Sequence, residues 1–223
     1  LLTAPGGGIP NIVFGVNHEQ QAADENIFSA ASCTTNAIVP VLKVIDEAFG
    51  IEKGHIETVH SYTNDQNLLD NYHEKYRRGR SAALNMVITE TGAAKAAEKA
   101  LPELKGKITG NAIRVPIPNV SMAILNLTLH QDVTKEDINQ FLREVSLKSP
   151  LRKQIDFVTS TEVVSSDFVG SRHAAIVDSE STITQCNRCV LYIWYDNEFG
   201  YSCQVVRMLQ KMAGIHYPNF PAE

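Results

Sequence analysis

Two hydrophobic periods divide the chain. Ile38, Val41, Leu42, Ile45 and Phe49 recur at helical spacing, and Gly50 behind them is a natural stop. Pro40 is tolerated only in the early turns of a helix, which sets the start near Ser32 or Cys33. Ile138, Phe141, Leu142 and Val145 form a second stripe, behind a capping signal of Thr134 and Asp137. Residues 93–101 make a helix opened by Thr91-Gly92 and followed by Pro102. A last helix follows Asn197, with Tyr201, Val205, Leu209 and Met212 on one side and Gly214 at its end. Elsewhere the period shortens to two. Residues 120–130 alternate, with Ala123, Leu125, Leu127 and Leu129 on one face. Further strands are predicted at 12–16, 27–30, 56–60 and 111–116, and near 154–158, 165–169, 174–178, 182–187 and 189–196. Residues 61–90 are polar and aperiodic, a long loop of the kind that is usually functional in a compact domain. Runs of adjacent strands with few crossover helices indicate an α+β fold, a largely antiparallel mixed sheet with helices on one face.

The 223 residues are 43% hydrophobic and 20% charged, enough for a packed core in one large domain or two small ones. A net charge of −5 without a long basic stripe disfavours nucleic acid as a partner. The main basic concentration is Lys75, Arg77, Arg78 and Arg80, which reads either as a solvated loop or as a receptor for a small anion such as phosphate. No apolar run approaches the roughly 20 residues of a membrane span. The start, Leu1-Leu2-Thr3-Ala4-Pro5, has neither an initiator Met nor the form of a signal peptide, so the chain is expected to be a fragment or a processed product. Four cysteines argue against a disulfide framework and for a reducing compartment. Cys186 and Cys189 form a C-x-x-C within a predicted strand, where positions i and i+3 face opposite ways; neither metal ligation nor redox pairing is expected.

Chemistry concentrates where the helix near Ser32 begins. Cys33 at a helix N-terminus has unpaired amides and the helix dipole to stabilise a thiolate, which lowers the pKa of a nucleophilic cysteine. A cysteine in such a place is equally a small buried apolar residue. His60 lies one helix, one turn and one strand further on. In such a unit the strand end returns to the level of the helix start, so the imidazole can reach the thiol as base and then as acid. Thr63, Arg78, the helix start Thr91-Gly92, and Arg114 carry the hydroxyls, guanidinium groups and amides that phosphate oxygens need.

Ser32-Cys33-Thr34-Thr35-Asn36 resembles the active-site signature of the phosphorylating glyceraldehyde-3-phosphate dehydrogenase family. The resemblance extends along the chain through Gly15-Val16-Asn17-His18, His60-Ser61-Tyr62-Thr63, Thr91-Gly92-Ala93-Ala94-Lys95, Arg114-Val115-Pro116 and Trp194-Tyr195-Asp196-Asn197-Glu198. It implies that Cys33 attacks an aldehyde while His60 removes a proton and steadies the oxyanion. Hydride then passes to NAD, and inorganic phosphate releases an acyl phosphate from a Cys33 thioester. It further implies that Thr63 and Arg114 hold the substrate's phosphate. Ser32, Thr34, Arg78, Thr91 and Gly92 would hold the attacking phosphate, while Asn197 and Tyr201 meet the nicotinamide. By the same resemblance, residues 1–32 would be the end of a dinucleotide-binding domain, 33–196 the catalytic domain, and 197–223 a C-terminal helix packing on the former. The intact protein would be a cytoplasmic tetramer.

The departures matter. Asn64-Asp65-Gln66 stands where the family has small residues and a second threonine, so a carboxylate lies near the substrate-phosphate pocket. It repels phosphate unless it turns away or pairs with an arginine. An Asp-Gln step also occurs in the related erythrose-4-phosphate dehydrogenases, which makes that substrate the alternative. Ala37 replaces a second cysteine, and Ile88 and Glu90 replace more usual residues before Thr91. Ala4-Pro5-Gly6-Gly7-Gly8 lacks the strand-turn-helix context of a dinucleotide fingerprint. A fragment without the cofactor domain would have part of its last helix's apolar stripe exposed, and a purely oligomerising, non-catalytic role is the alternative from another class.

Overall fold

The computed structural model describes residues 1–19 and 26–215. Helix α1 spans Cys33–Phe49. It begins where the Ser32 hydroxyl accepts the Thr35 N–H at 3.0 Å, and it ends where Gly50 turns to φ +67. Strand β1, Ile51–Ser61, runs back along it. The following segment holds a 3-10 turn, Tyr76–Gly79, and the short strand β2, Val87–Thr89, before α2, Ala93–Ala100. Strands β3, Ile108–Val115, and β4, Ser121–Leu129, precede α3, Lys135–Lys148. Both halves of the Thr134–Asp137 capping box are present at the start of α3. Then come β5 (Ile155–Val158), β6 (Ala175–Asp178), β7 (Ile183–Gln185), β8 (Arg188–Tyr195) and α4 (Phe199–Met212).

The sheet runs in the order β2-β3-β1-β4-β8-β6-β5, with β7 on the remaining length of β8. Only β1–β3 and β5–β6 are parallel; the other pairs are antiparallel. Alternation decides which face is covered. Ile56, Thr58 and His60 on β1, Ala123, Leu125 and Leu127 on β4, and Leu191, Ile193 and Tyr195 on β8 are all buried beneath the helices. Helix α1 lies against β1, β4, β6 and β8, while α2 packs on β3 and α3 on β5. The α+β architecture with a largely antiparallel sheet and helices on one face is therefore the one expected.

Some local predictions fail for identifiable reasons. The segment 12–16 is a turn rather than a strand. Gly15 takes φ +85, and the Asn17 carboxamide oxygen accepts the Val13 N–H at 2.7 Å, so side chain and glycine together reverse the chain. Of 27–30, only Ser29 makes bridges, to Leu2 and Asn11. The 165–169 stretch is a 3-10 turn, Ser165–Phe168, because the Asp167 carboxylate accepts the Val164 N–H at 2.8 Å. In α4 the core side is Gly200, Gln204 and Met208, with Met208 packed on Ile12 and Phe28. The predicted stripe is half-buried at Tyr201 and Val205 and open at Leu209 and Met212. Cys186 and Cys189 do not share a strand: Cys186 is exposed in the turn between β7 and β8, at φ +52, Cys189 is buried on β8, and both are free thiols. The C-terminal stretch 216–223 lies outside the described residues.

Candidate active site

The unit α1–β1 brings its two ends together. Cys33 opens the helix and His60 closes the strand, and Cys33 Sγ lies 3.5 Å from His60 Nε2. In the parallel register of β1 with β3, His60 sits beside Arg114. The edge of Tyr195, from β8, meets the imidazole with ring centroids 6.1 Å apart, and its hydroxyl bonds Thr34 Oγ1 at 2.9 Å.

Burial governs the ionisation of this pair. Desolvation pushes the Cys33 thiol above its ordinary pKa; the Thr34 hydroxyl and amide and the Arg114 charge pull the other way without prevailing. The amides at the helix start do lower this pKa, as expected, but desolvation outweighs them and the net shift is upward. Desolvation also takes His60 down to about 4, helped by the Arg114 charge and opposed by the Ser61 carbonyl. Near neutral pH the pair is a neutral thiol facing a neutral imidazole.

The other ring nitrogen is contested. His60 Nδ1 lies 2.7 Å from the Ser61 carbonyl oxygen and 2.7 Å from Arg114 Nη1, which also donates to that carbonyl at 3.0 Å. A ring nitrogen cannot donate to a carbonyl and accept from a guanidinium at the same time. With the proton on Nδ1, the Nε2 lone pair faces the thiol, as a base requires. With Arg114 donating to Nδ1, it is Nε2–H that faces sulfur.

Around the pair lies a cavity of about 220 Å³. The structure brings Ser32, Cys33, Thr34, His60, Arg78, Thr91, Gly92 and Arg114 together on its wall. Two polar atoms of its wall residues, Arg114 Nε and Thr58 Oγ1, are buried without a hydrogen-bond partner. Such orphaned groups are costly unless a ligand completes them. Each guanidinium nitrogen of Arg78 has a partner: Nε donates to Thr89 Oγ1 at 2.8 Å, Nη2 donates to the Glu90 carbonyl at 3.3 Å, and Nη1 contacts the Asp65 carboxylate. Asp65 therefore pairs with an arginine, one of the two arrangements its position allowed. The Thr91 hydroxyl accepts the Ala93 N–H at 3.2 Å at the start of α2.

Three predicted site residues do not line this cavity. Thr63 is half-buried away from its wall. Asn197 is buried behind it, where Oδ1 accepts from Ser61 Oγ at 2.9 Å and Ser121 Oγ at 2.8 Å, so the amide nitrogen is the donor the side chain can offer a ligand. Tyr201 donates its hydroxyl to the carbonyl of Ala31 at 2.9 Å, and Ala31 itself holds φ +58 just before the nucleophile. Residue-type reasoning missed Thr58, Ser121 and the contact role of Tyr195. Alternation along β1 and β8 would have placed Thr58 and Tyr195 on the covered face. Ser121 had no local signal, since its partner is distant in sequence. Among the described residues no cluster of His, Cys, Asp and Glu could hold a metal ion, and no helix is long and apolar enough to cross a membrane.

A cysteine–histidine pair under a mixed sheet, with a buried Arg78 and a half-buried Arg114 on the same cavity, defines a thiol site equipped for anions. Residues 32–197 match the model of the glyceraldehyde 3-phosphate dehydrogenase C-terminal domain, and the chain belongs to that family, a family of oxidoreductases. Among curated proteins it is 68% identical over 99% of its length to a glyceraldehyde-3-phosphate dehydrogenase-like protein of Pseudomonas aeruginosa, and covers 48% of that protein. It is 47% identical to a glyceraldehyde-3-phosphate dehydrogenase of Borreliella burgdorferi, over 95% of this chain and 64% of the relative. Glyceraldehyde-3-phosphate dehydrogenase 2 of Bacillus subtilis is 45% identical, over 96% of this chain and 63% of its own length. The chain thus spans about half to just under two thirds of these relatives.

Proposed function

We propose that this chain is the catalytic portion of an NAD-dependent dehydrogenase that oxidises glyceraldehyde 3-phosphate and captures the acyl group with inorganic phosphate. The observation that carries this reading is the Cys33–His60 contact of 3.5 Å opening onto a cavity walled by Arg78 and Arg114. Sulfur attacks the aldehyde carbon as its proton moves to His60 Nε2, forming a hemithioacetal. The imidazolium so formed gives its proton to the new oxyanion, which leaves a neutral hemithioacetal hydroxyl and a neutral His60, with Thr34 and the α1 amides beside it. His60 then takes the hydroxyl proton as the C–H bond breaks, which leaves a thioester on Cys33. Bound NAD supplies the hydride acceptor. The residues present fit its nicotinamide end: Asn197 offers an amide donor fixed by two serine hydroxyls, and Tyr201 packs close by. Arg78, with Ser32, Thr34, Thr91 and Gly92, would hold the inorganic phosphate that attacks the thioester. Arg114 would hold the phosphate of the substrate, with Thr63.

The cysteine stage conserves oxidation energy, because a thioester yields an acyl phosphate where a free acid would not. The carboxylate of Asp65, which pointed toward a four-carbon sugar phosphate, is occupied by Arg78 and does not argue against the three-carbon substrate. We place residues 1–32 with the end of the dinucleotide-binding domain, 33–196 as the catalytic domain and 197–223 as the element bridging the two. The packing of Met208 on Ile12 and Phe28 supports this grouping of the two ends. A homo-oligomer in the cytoplasm is the setting the family resemblance implies.

The test is production of NADH by the full-length protein from glyceraldehyde 3-phosphate, phosphate and NAD. Cys33→Ser should abolish it. Absence of NADH with Cys33 reduced would refute the proposal. Higher kcat/KM on erythrose 4-phosphate would move it to the alternative substrate.

A further inference from the structure

The nucleophile follows a strained turn. Ala31 takes φ +58, one residue before the cap Ser32 and two before Cys33. A residue with a Cβ adopts that left-handed conformation at a cost and keeps it only where its surroundings fix it. Side chains from three parts of the chain do so. Ser29 Oγ accepts the Ala31 N–H at 3.0 Å, and Ser29 is itself bridged to Leu2 and Asn11. Tyr201, from α4, donates its hydroxyl to the Ala31 carbonyl at 2.9 Å. Asn36, one turn into α1, reaches back: Nδ2 donates to the Ala30 carbonyl at 2.8 Å and to the Ser32 carbonyl at 2.9 Å. A carboxamide nitrogen carries two protons, so both are used on the carbonyls that flank Ala31. Ala30, Ala31 and Asn36 are all buried, where water is a poor substitute for these bonds.

Asn is a poor residue for the inside of a helix, because its short side chain competes for nearby backbone groups. Here that competition acts on the turn that delivers the nucleophile. If the turn were released, Ala31 would relax toward the right-handed or extended regions, and the chain entering α1 would swing. Cys33, the first residue of the helix, would move with it. Its sulfur stands 3.5 Å from His60 Nε2, and a misplacement of about 1 Å between reacting groups can slow a reaction on the order of a hundredfold. We infer that Asn36 is a positioning residue for the nucleophile: its carboxamide clamps the carbonyls of Ala30 and Ser32 across the left-handed Ala31 and so keeps Cys33 within reach of His60. It acts through the backbone of the turn. Tyr201 is a second tie on the same turn and joins it to α4.

The inference rests on Cys33 being the nucleophile of the proposed dehydrogenase, and two readouts on the full-length protein keep the two apart. The first is alkylation of Cys33 by iodoacetamide at pH 8, followed by mass spectrometry of the Cys33 peptide, which needs no turnover. The second is the burst of NADH from glyceraldehyde 3-phosphate and NAD. Both are taken per folded molecule, with the folded fraction read by circular dichroism. Asn36→Ala should slow both roughly tenfold, the population lost when a left-handed residue is released, with the KM for the aldehyde little changed. Adding Ala31→Gly to Asn36→Ala should recover most of the loss, because glycine keeps the left-handed turn unaided. A role confined to stability would leave the rate per folded molecule unmoved. Unchanged alkylation in Asn36→Ala, or a loss that Ala31→Gly does not recover, overturns the clamp. A wild type that alkylates at Cys33 but gives no burst overturns the proposed dehydrogenase, and the alkylation comparison still decides the clamp. If Asn36→Ala does not fold, Asn36→Ser, which keeps one donor, takes its place under the same two criteria, with a smaller slowing expected.

Discussion

Acid should weaken this protein through His60, and the size of the effect can be worked from its burial. The ring titrates at about 4 in the folded chain against 6.5 for an exposed histidine, mainly because it is desolvated and then because Arg114 lies against it. The sign follows from linkage. The folded state holds the proton less well, so the unfolded chain is favoured as soon as it can protonate. The penalty is nearly absent above pH 7, grows as pH falls through the unfolded value, and levels off below about pH 4. At about 1.4 kcal/mol per unit of pKa, the full penalty is roughly 3 kcal/mol, of which about 2 kcal/mol develops between pH 7 and pH 5. Urea unfolding followed by circular dichroism at both pH values measures it, in the wild type and in His60→Gln. The variant has its own stability at pH 7, but the quantity of interest is the loss each protein suffers on acidification. His18 and His173, also lowered by burial, contribute equally to both and cancel. The wild type should lose about 2 kcal/mol more than the variant. Equal losses would show that His60 is solvated or already charged at neutral pH, and the neutral-pair account of the site would fall.

Asp65→Asn should tighten binding of inorganic phosphate several-fold by freeing Arg78 Nη1, as titration calorimetry at low salt would read it; weaker binding would mean that Asp65 instead orients the arginine. Alkylation of Cys33 by iodoacetamide in the anion-free chain should still be accelerating at pH 9, since burial raises the thiol; a plateau by pH 7 would reveal a depressed pKa. Thr134→Ala removes the hydroxyl that accepts the Asp137 N–H at 3.1 Å and should lower unfolding stability by about 1 kcal/mol in urea, with activity of the full-length protein unchanged.

The helices were legible because their signals are local. The helix start near Ser32 or Cys33, Gly50 as a stop and the Thr134–Asp137 box each act within about a turn, and each is found where the spacing put it. Strand β1 was read short, as 56–60 instead of Ile51–Ser61, because its other face carries Lys53, His55 and Glu57 and the exposed Glu52 is an extra residue at a register shift between Ile51 and Lys53. The 165–169 stretch looked like a strand from Phe168 and Val169, yet one carboxylate, Asp167, captured a backbone amide and curled it. Nothing in the hydrophobic pattern weighs a side chain's competition for backbone hydrogen bonds.

The site divides along the same line. That Cys33 and His60 meet followed from counting elements, because a helix and the strand returning beside it end level. Their protonation could not be counted. A helix start argues for a thiolate, but burial outweighs it, and the charged neighbour Arg114 on β3 and the nearby Tyr195 on β8 come from elements remote in sequence. The dipole stabilises charge by a fraction of what burial withdraws, so the free pair is neutral and the proton must move during attack. That shifts the burden of activation from the cysteine to the base. A buried imidazole with a guanidinium on its far nitrogen is a weak base. The arginine that the family resemblance assigns to substrate binding is the one the structure sets against the histidine.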